Sequence, residues 1–400
     1  MKRIAIVYSR YGAELTGGAE CYTRQIAQHL ANRYEVEILT TKAIDDTTWK
    51  DWYARNVEVL QGVTVRRFSV EQLRAKDFQA FHEAYCRELE QGHRLPAKER
   101  IWLEKQGPYV PELVHYLRRH RKDYDVFLFV GYASYPTVYG LPEVSERSIL
   151  IPAAKEEPAL HFALTEMLLT KPRAFVFLTD EERKLVRHTV PRAEPIPCAV
   201  MGTGMDVPSV LHPDLFCRQH NITEPYLLYV GLVDEAKGCP LLFHYFLEYK
   251  KRCQDKLKLV LIGKQVCRVP SDPDILSLGY LSEEEKWNGI AGAKALVLPA
   301  TAAAMTRALL ESMALSVPVL VNGACDVLRG HCIKSNAGLY YRNYFEFEGA
   351  VRYLLHHPMQ YMQLCANAKT YVVQNYDWHQ IMSQFSTLIE QVAEKNAGRQ

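Results

Sequence analysis

The sequence predicts an α/β protein with two doubly wound parallel-sheet domains, and three features support this prediction. Short runs rich in Val, Ile and Leu alternate with helical stretches along most of the 400 residues. Most of these runs contain continuous Val, Ile and Leu residues, which is typical of parallel strands buried on both faces. A segment rich in Pro and Gly, residues 191–216, divides them into two series. Two series of βα units predict two domains.

The predicted strands follow the chain in order. The first series is 3–9, 34–41, 63–70, 125–131, 147–154 and 174–180, and the second is 226–231, 257–263, 275–280, 294–300 and 317–323. Segment 191–216 predicts a short strand followed by the interdomain linker. Residues 70–111 are expected to form a mostly helical insertion.

The C-terminal segment predicts an amphipathic helix over residues 377–396. Its apolar stripe consists of Ile381, Phe385, Leu388, Ile389 and Val392. We assign residues 1–205 to the first domain and 206–376 to the second, with 377–400 packing back on the first.

The composition is that of a soluble globular protein. With 48% hydrophobic residues, 24% charged residues and a net charge of +2, the chain lacks the basic excess of a nucleic-acid binder. No apolar run reaches the roughly 18 residues of a membrane-spanning helix, and "MKRIAIVYSRYG" is too short in its apolar part for a signal peptide. We therefore expect a cytoplasmic protein. The basic clusters 118–122 and 250–258 predict solvated helix ends, with peripheral contact to the inner membrane face as the alternative.

Glycines stand at several predicted strand ends, where doubly wound domains bind ligands. Gly17 and Gly18 directly precede a helix, and Lys237 and Gly238 open another, which would place an ammonium group beside a helix N-terminus. Gly263 ends a strand in "LIGK". Taken alone, Gly17 and Gly18 are about as compatible with a tight turn as with a binding loop, and Lys237 is better explained as a solvated lysine at a turn. The pattern is not a dinucleotide fingerprint, because G-x-G-x-x-G is absent.

Two D-x-D pairs could suggest a metal site. Asp123 and Asp125 precede their strand, and Asp272 and Asp274 lie in a proline-containing loop without a neighbouring His or Glu. We interpret both pairs as solvated turn carboxylates and predict no metal.

The stretch "LPATAAAMTRALLESMALSVPVL", residues 298–320, predicts a loop, a helix and a strand. Because Thr301 can cap a helix and alanine favours one, the helix could begin near Ala302 or only after Thr306. Arg307 and Glu311 are spaced i, i+4 and can form an ion pair. The alternative is that Arg307 contacts a ligand diphosphate, and the sequence leaves both open.

Together these segments resemble a known family. "YVGLVDEAKG", "KLVLIGK", "LGYLSEEEKWNGIAGAKALVLPA" and "LLESMALSVPVLVNG" look like the C-terminal domain of family-4 retaining glycosyltransferases, which have the GT-B fold. "IAIVYSRYGAELTGGAE" looks like their N-terminal start, and residues 325–341 resemble one bacterial subgroup. The resemblance implies two Rossmann-like domains that face a central cleft.

The resemblance also implies a reaction. In this family the C-terminal domain holds a nucleotide diphosphate sugar as co-substrate, and the acceptor binds against the N-terminal domain. No metal or other cofactor is implied, since cationic side chains and helix N-termini neutralise the leaving diphosphate. The terminal helix crosses back onto the first domain.

The family's site residues carry over unevenly. Lys237 matches the lysine that binds the diphosphate, beside Gly238, and Glu311 matches the glutamate that holds the ribose. The remaining matches are the nucleotide-binding Gly231 and Gly263, the N-terminal glycine loop of Gly17 and Gly18, and the diphosphate loop of Met305, Thr306 and Arg307.

Three positions depart from the family pattern. The family's first catalytic glutamate falls on Ala303, its diphosphate arginine falls on Leu232, and its histidine falls on Lys155. The resemblance places Lys155 and Glu156 next to the sugar or the acceptor.

Two functions from different classes remain. The first is a retaining glycosyltransferase that transfers a hexose to a glycan, lipid-linked or small-molecule acceptor. The second is a non-catalytic GT-B protein that serves as a partner subunit of an active glycosyltransferase or as a glycan-binding module, because three polar positions are lost together.

Overall fold

The computed structural model describes residues 1–397, with side chains up to 394. It divides into two compact units. Unit 1 is Met1–Thr203 together with the described residues from His379 onward, and unit 2 is Gly204–Trp378. Each unit is an α/β layer structure around its own parallel sheet, which confirms the predicted fold class.

Unit 1 contains an eight-stranded sheet among the described residues, in the order β3-β4-β2-β1-β5-β6-β7-β8. The strands are β1 Arg3–Val7, β2 Glu35–Thr41, β3 Val57–Leu60, β4 Val63–Phe68, β5 Val126–Val130, β6 Ser148–Ile151, β7 Ala174–Phe177 and β8 Cys198–Val200. The pairs are parallel except β3 with β4. Every residue of β5 is buried, as expected for a central strand covered on both faces.

Helices cover the sheet of unit 1. They are α1 Gly18–Ala31, α2 Phe78–Glu90, α3 Pro96–Gln106, α4 Pro111–Arg119, α5 Tyr135–Gly140, α6 Ala163–Leu169 and α7 Asp180–Thr189, with short 3₁₀ turns at Leu141–Arg147, Pro158–His161 and Pro191–Ala193. The predicted helical insertion supplies α2 and α3. Tyr85, Trp102 and Phe162 make edge-to-face ring contacts there, which tie the insertion to the core of unit 1.

Unit 2 contains a six-stranded parallel sheet in the order β11-β10-β9-β12-β13-β14. The strands are β9 Tyr226–Val230, β10 Lys258–Ile262, β11 Ile275–Ser277, β12 Ala295–Leu298, β13 Val319–Asn322 and β14 Gly338–Tyr341. The helices are α8 Pro213–Gln219, α9 Cys239–Arg252, α10 Glu283–Gly292, α11 Arg307–Ala314, α12 Asp326–Ser335, α13 Tyr344–His356 and α14 Pro358–Asn375.

The last helix, α15, spans Trp378–Ala397, and its described residues from His379 onward group with unit 1. Its stripe is buried: Ile381, Phe385, Leu388, Ile389 and Val392 are each at most 6% exposed. Glu390 accepts a hydrogen bond from the Tyr34 hydroxyl at 3.1 Å and pairs with Lys2. The apolar stripe and these polar contacts anchor the helix on unit 1.

His331 is a buried titratable group in unit 2. It lies on α12, its Nδ1 is 3.0 Å from the Tyr371 hydroxyl on α14, and burial lowers its pKa to about 3, with a further lowering by the Lys334 charge. The native protein therefore keeps this imidazole neutral at pH values at which an unfolded chain binds a proton, below about 6.5.

We expect His331 to destabilise unit 2 in acid. Between pH 7 and pH 5 the unfolded state gains a proton that the native state does not, so this group should remove about 2 kcal/mol from the free energy of unfolding. Urea denaturation at both pH values measures the loss, and His331→Gln should reduce it. The exposed His244 provides the control, since His244→Gln should leave the pH dependence unchanged. Equal pH dependence in the wild type and His331→Gln would contradict the prediction.

Candidate functional site

Two glycines meet at the carboxyl edge of the sheet in unit 2. Gly231 follows β9 with φ +147°, and Gly263 follows the neighbouring β10 with φ +141°. The Gly263 amide donates to the Gly279 carbonyl at 2.7 Å, and a Cβ added at Gly263 would overlap the carbonyl oxygen of Gly231. Only glycine at position 263 allows this backbone contact, and the resemblance assigns both glycines to nucleotide binding.

The Lys237-Gly238 turn lies against the end of β12. Gly238 is left-handed, with φ +78°, immediately before α9, and a Cβ there would be 2.6 Å from the Pro299 carbonyl oxygen. The Lys237 amide donates to the Asp234 carboxylate at 3.0 Å, and the Asn322 side-chain amide donates to the Pro299 carbonyl at 3.0 Å. Gly238 therefore lies against the segment that follows β12, and the assignment of Lys237 and Gly238 to a diphosphate site stays a prediction.

Leu232 occupies the position at which the resemblance expects an arginine. Its side chain is 40% exposed, and its carbonyl accepts the Tyr229 hydroxyl at 2.7 Å. An apolar side chain is therefore presented at this edge, where it supplies no charge for a phosphate.

The segment 299–306 is not helical, and α11 begins at Arg307 after Thr306. The alternative start near Ala302 is wrong. Ala303 and Met305 pack against the apolar core of unit 2, so tertiary contacts outweigh the helix propensity of the alanines. Thr306 stands at the N-cap position with extended backbone angles but accepts no side-chain capping bond.

Glu311 is the centre of a buried ion network. It is 1% exposed, and its Oε1 accepts from the Arg307 Nε at 2.7 Å and from the Lys286 Nζ at 3.1 Å. Burial lowers the pKa of Lys286, but the charges of Glu311 and Glu283 outweigh this and leave that pKa raised. The structure therefore contains the ion pair that was one of the two sequence alternatives, and it adds Lys286 on α10. No local spacing could have revealed Lys286, which lies 25 residues earlier in the sequence.

In unit 1, Gly17 and Gly18 form the start of α1 beside a charged cluster. Gly17 is the N-cap residue, and a Cβ there would overlap the side chain of Glu20. Glu20 is 5% exposed and accepts from the Arg10 Nη2 at 2.6 Å and from the Tyr8 hydroxyl at 3.1 Å. Arg10 and Glu20 are not among the predicted site residues, although both lie within eight residues of the glycines.

The loop after β6 carries Lys155 and Glu156 near the surface. Lys155 pairs with Glu157 at 3.2 Å, and Glu156, with 62% of its side chain exposed, contacts the His161 ring at 2.5 Å. Their assignment to the sugar or acceptor stays a prediction. The buried Glu182 anchors the loop, because its carboxylate accepts the Ala154 amide at 2.7 Å and the Leu178 amide at 2.6 Å.

A cavity of about 370 Å³ lies within unit 1 at the carboxyl ends of β1, β5 and β6. The polar and aromatic side chains on its wall include Arg10, Asp46, Trp49, Arg74, Tyr132 and Glu157. The Tyr132 hydroxyl donates to Glu157 at 2.8 Å, and burial together with the Glu157 charge raises the pKa of this phenol. Neither Lys155 nor Glu156 lines the cavity, whereas Glu157, which sequence reasoning missed, does.

Comparison with known proteins identifies the architecture. Residues 216–371 match the family Glycosyl transferases group 1. The chain is similar in structure to a sucrose-phosphate synthase from Thermosynechococcus elongatus, at 16% identity and a TM-score of 0.72, over 98% of this chain and 99% of that chain. The chain has the GT-B fold. No curated protein matches the sequence as a relative.

Two further similar structures are complexes with uridine nucleotides. Anabaena Alr3699/HepE in complex with UDP and glucose is 12% identical, with a TM-score of 0.67 over 98% of this chain and all of that chain. The trehalose-6-phosphate protein of E. coli bound with UDP-2-fluoro glucose is also 12% identical, with a TM-score of 0.67 over 98% and 99% of the two chains. At these identities the likeness establishes the fold, and the matched family supports a glycosyltransferase.

Two other kinds of feature are absent from the described residues: membrane-spanning helices and clusters of metal ligands. Within residues 1–397 no helix combines the length and apolarity needed to cross a bilayer. The same part of the chain holds no group of three or more His, Cys, Asp or Glu side chains arranged to ligate a metal ion.

Proposed function

We propose that this GT-B protein transfers a hexose from a nucleoside diphosphate sugar to a glycan, lipid-linked or small-molecule acceptor, with retention at the anomeric carbon. The proposal rests on one observation, that two features occur in the same residues of unit 2. Residues 216–371 match a glycosyltransferase family, and the same residues form an open, glycine-lined strand edge with Lys237 beside a helix N-terminus.

In this proposal the cationic side chains bind the donor diphosphate without a metal ion or other cofactor. Lys237 offers an ammonium group next to the first turn of α9, where the helix dipole also favours an anion. Residues 305–307 approach the phosphates from the start of α11. Gly231 and Gly263 leave room for the nucleoside, and Glu311 lies near its ribose. Because two ligands in the structural neighbours are UDP compounds, UDP-glucose is the first donor to test.

We propose a cytoplasmic site of action for this chemistry, since nucleotide sugars are the expected co-substrate. A lipid-linked acceptor would add peripheral contact with the inner membrane face. An active glycosyltransferase is the partner expected if this chain itself lacks turnover.

Lys237→Ala is expected to weaken the binding of nucleoside diphosphates. Loss of a charge-assisted contact costs about 1.5–3 kcal/mol, which corresponds to roughly a 10- to 150-fold rise in Kd. Isothermal titration calorimetry with UDP, GDP and ADP and their glucose conjugates measures the effect. Lys251→Ala, which removes an exposed lysine at the far end of α9, is the matched control and should bind as the wild type does. Absence of binding by the wild type to every compound would contradict the transferase.

A second function is supported by one specific observation. Leu232 and Ala303 are apolar at two positions where the resemblance expects charges, and Glu311 is already engaged by two cations. A non-catalytic GT-B subunit or glycan-binding module would tolerate these changes. The double variant Leu232→Arg with Ala303→Glu distinguishes the two: strong transfer by the variant and none by the wild type supports the non-catalytic protein. Transfer by the wild type that Lys237→Ala abolishes supports the enzyme.

A further inference from the structure

The cavity of unit 1 has a balanced set of charges on its wall. Its lining contains two arginines, Arg10 and Arg74, and two carboxylates, Asp46 and Glu157. The formal charge of this wall is therefore zero. The contacts of each charged group show whether that group is available to a charged ligand.

Arg10 is held by acidic groups of unit 1. Its Nη2 donates to Glu20 at 2.6 Å and lies 3.4 Å from Asp46, and its Nη1 reaches the Ile44 carbonyl at 3.4 Å. Glu20 is almost completely buried, so separating Arg10 from it would leave a carboxylate without its cation in a desolvated place. A ligand phosphate would have to compete with this buried pair.

Arg74 is engaged by the Asp46 backbone and by an aromatic ring. Its Nη1 donates to the Asp46 carbonyl at 2.6 Å, and its guanidinium stacks on the Phe78 ring at 4.4 Å. Partial burial lowers its pKa, which the Asp46 charge partly offsets. Both arginines therefore lie beside Asp46, whose exposed carboxylate would repel an anion that approached them.

Glu157 adds a second carboxylate to the same wall. It accepts the Tyr132 hydroxyl at 2.8 Å, and Lys155 lies 3.2 Å from its other oxygen. The cavity thus offers both hydrogen-bond donors and hydrogen-bond acceptors. Each of the four charged side chains has a counter-charge or a polar partner within unit 1. This arrangement favours a ligand that both donates and accepts hydrogen bonds and carries no charge.

We propose that the cavity binds the uncharged saccharide end of the acceptor and discriminates against phosphorylated sugars. Sugar hydroxyls can donate to Asp46 and Glu157 and accept from the arginines without breaking the Arg10–Glu20 pair. The volume of about 370 Å³ is at the small end of the range of roughly 300–1,000 Å³ for ligand pockets, which suits a terminal sugar unit. This inference rests on the proposed function in calling the ligand an acceptor. The preference for neutral over phosphorylated sugars can be tested separately.

The test compares neutral sugars with their phosphates on the full chain. Glucose, galactose, mannose, N-acetylglucosamine and the 6-phosphates of all four are titrated by saturation-transfer NMR and calorimetry, with and without UDP. At least one neutral sugar should bind at least tenfold more tightly than its 6-phosphate. Hydrogen exchange should slow in segments 44–50 and 131–134, which carry cavity residues, when that sugar binds.

A matched pair of variants tests the origin of the preference. Asp46→Asn removes one carboxylate of the wall, so the preference for the neutral sugar should fall by roughly tenfold, the size expected for a half-exposed charge that solvent screens. Glu146→Gln removes an exposed carboxylate elsewhere in unit 1 and should leave the preference unchanged.

The outcomes separate this inference from the proposed function. Two results would overturn the inference and leave the proposed donor site intact. One is tighter binding of the sugar phosphates, and the other is that UDP binds but no neutral sugar does. If a neutral sugar binds but no nucleotide does, the inference is supported and the transferase is overturned in favour of a glycan-binding module. Protection outside the cavity segments would also overturn the inference.

Discussion

Replacing Glu311 with alanine is expected to lower the free energy of unfolding of unit 2 by about 3–5 kcal/mol, the cost typical of breaking a buried ion pair on one side. Glu311 is 2% exposed at its side chain, and Lys286 and Arg307, at 14% and 17%, both direct their charge at its Oε1. Without the carboxylate, two largely buried cations remain close together. Native-state hydrogen exchange of α10 and α11, followed by mass spectrometry in increasing urea, measures the change.

Two variants control for the Glu311 prediction. Glu283→Ala removes the other acidic partner of Lys286, but this carboxylate is 59% exposed, so the loss should stay below about 1 kcal/mol. Glu311→Leu combined with Lys286→Met replaces a buried pair with apolar groups and should recover about 2 kcal/mol relative to Glu311→Ala. If Glu311→Ala costs no more than Glu283→Ala, the network does not stabilise unit 2 in the way described.

The strands of both sheets could be predicted wherever burial is continuous along the chain. Every predicted apolar run contains a strand, since a parallel strand covered on both faces needs apolar residues at successive positions. β3 escaped prediction because it is an antiparallel edge strand whose residues are exposed or half-buried. β14 escaped for a similar reason, because three of its four residues are partly exposed at the other sheet's edge.

The candidate sites could be predicted less completely, because their contacts join distant parts of the sequence. Arg307 and Glu311 were paired from spacing alone, since an i, i+4 pair faces the same side of a helix. Lys286 reaches the same carboxylate from another helix, and Glu157 meets Tyr132 from another loop. The start of α11 was ambiguous for the same reason, because Ala303 and Met305 are fixed by the core of unit 2 rather than by local propensity.

The ion network also bears on how the proposed donor site works. A ribose hydroxyl would meet a Glu311 carboxylate whose charge Arg307 and Lys286 already compensate, so its hydrogen bond to the ribose should contribute less than a lone carboxylate would. Leu232 supplies no charge for the diphosphate, and Ala303 supplies no carboxylate for the donor sugar. Two missing charge-assisted contacts of about 1.5–3 kcal/mol each would lower donor binding by more than a hundredfold. Donor affinity should therefore depend mainly on Lys237, which makes its substitution the most informative single change for the proposed function.

The second large effect is expected at Gly263, where alanine should destabilise unit 2 by about 3 kcal/mol. The residue has φ +141°, a backbone conformation that costs an L side chain roughly 1–3 kcal/mol. A Cβ would in addition overlap the Gly231 carbonyl oxygen, and relief requires β9 and β10 to separate at their carboxyl ends, with an overpacking cost of about 1–3 kcal/mol. Hydrogen exchange of the β9 and β10 amides in increasing urea measures this loss.

Gly279 provides a control for a glycine of positive φ without a close contact. It has φ +69°, and a Cβ there would meet no atom within 4 Å, so Gly279→Ala should cost only the backbone strain of about 1–2 kcal/mol. The larger loss expected for Gly263→Ala reports the close approach of Gly263 to Gly231 together with the strain of φ +141°. Because this approach shapes the edge proposed for the nucleoside, Gly263→Ala should also weaken UDP binding at temperatures where unit 2 stays folded, whereas Gly279→Ala should weaken it much less. Equal losses of stability in both variants would show that the carbonyl overlap is relieved without cost, and the close contact would then no longer explain the glycine.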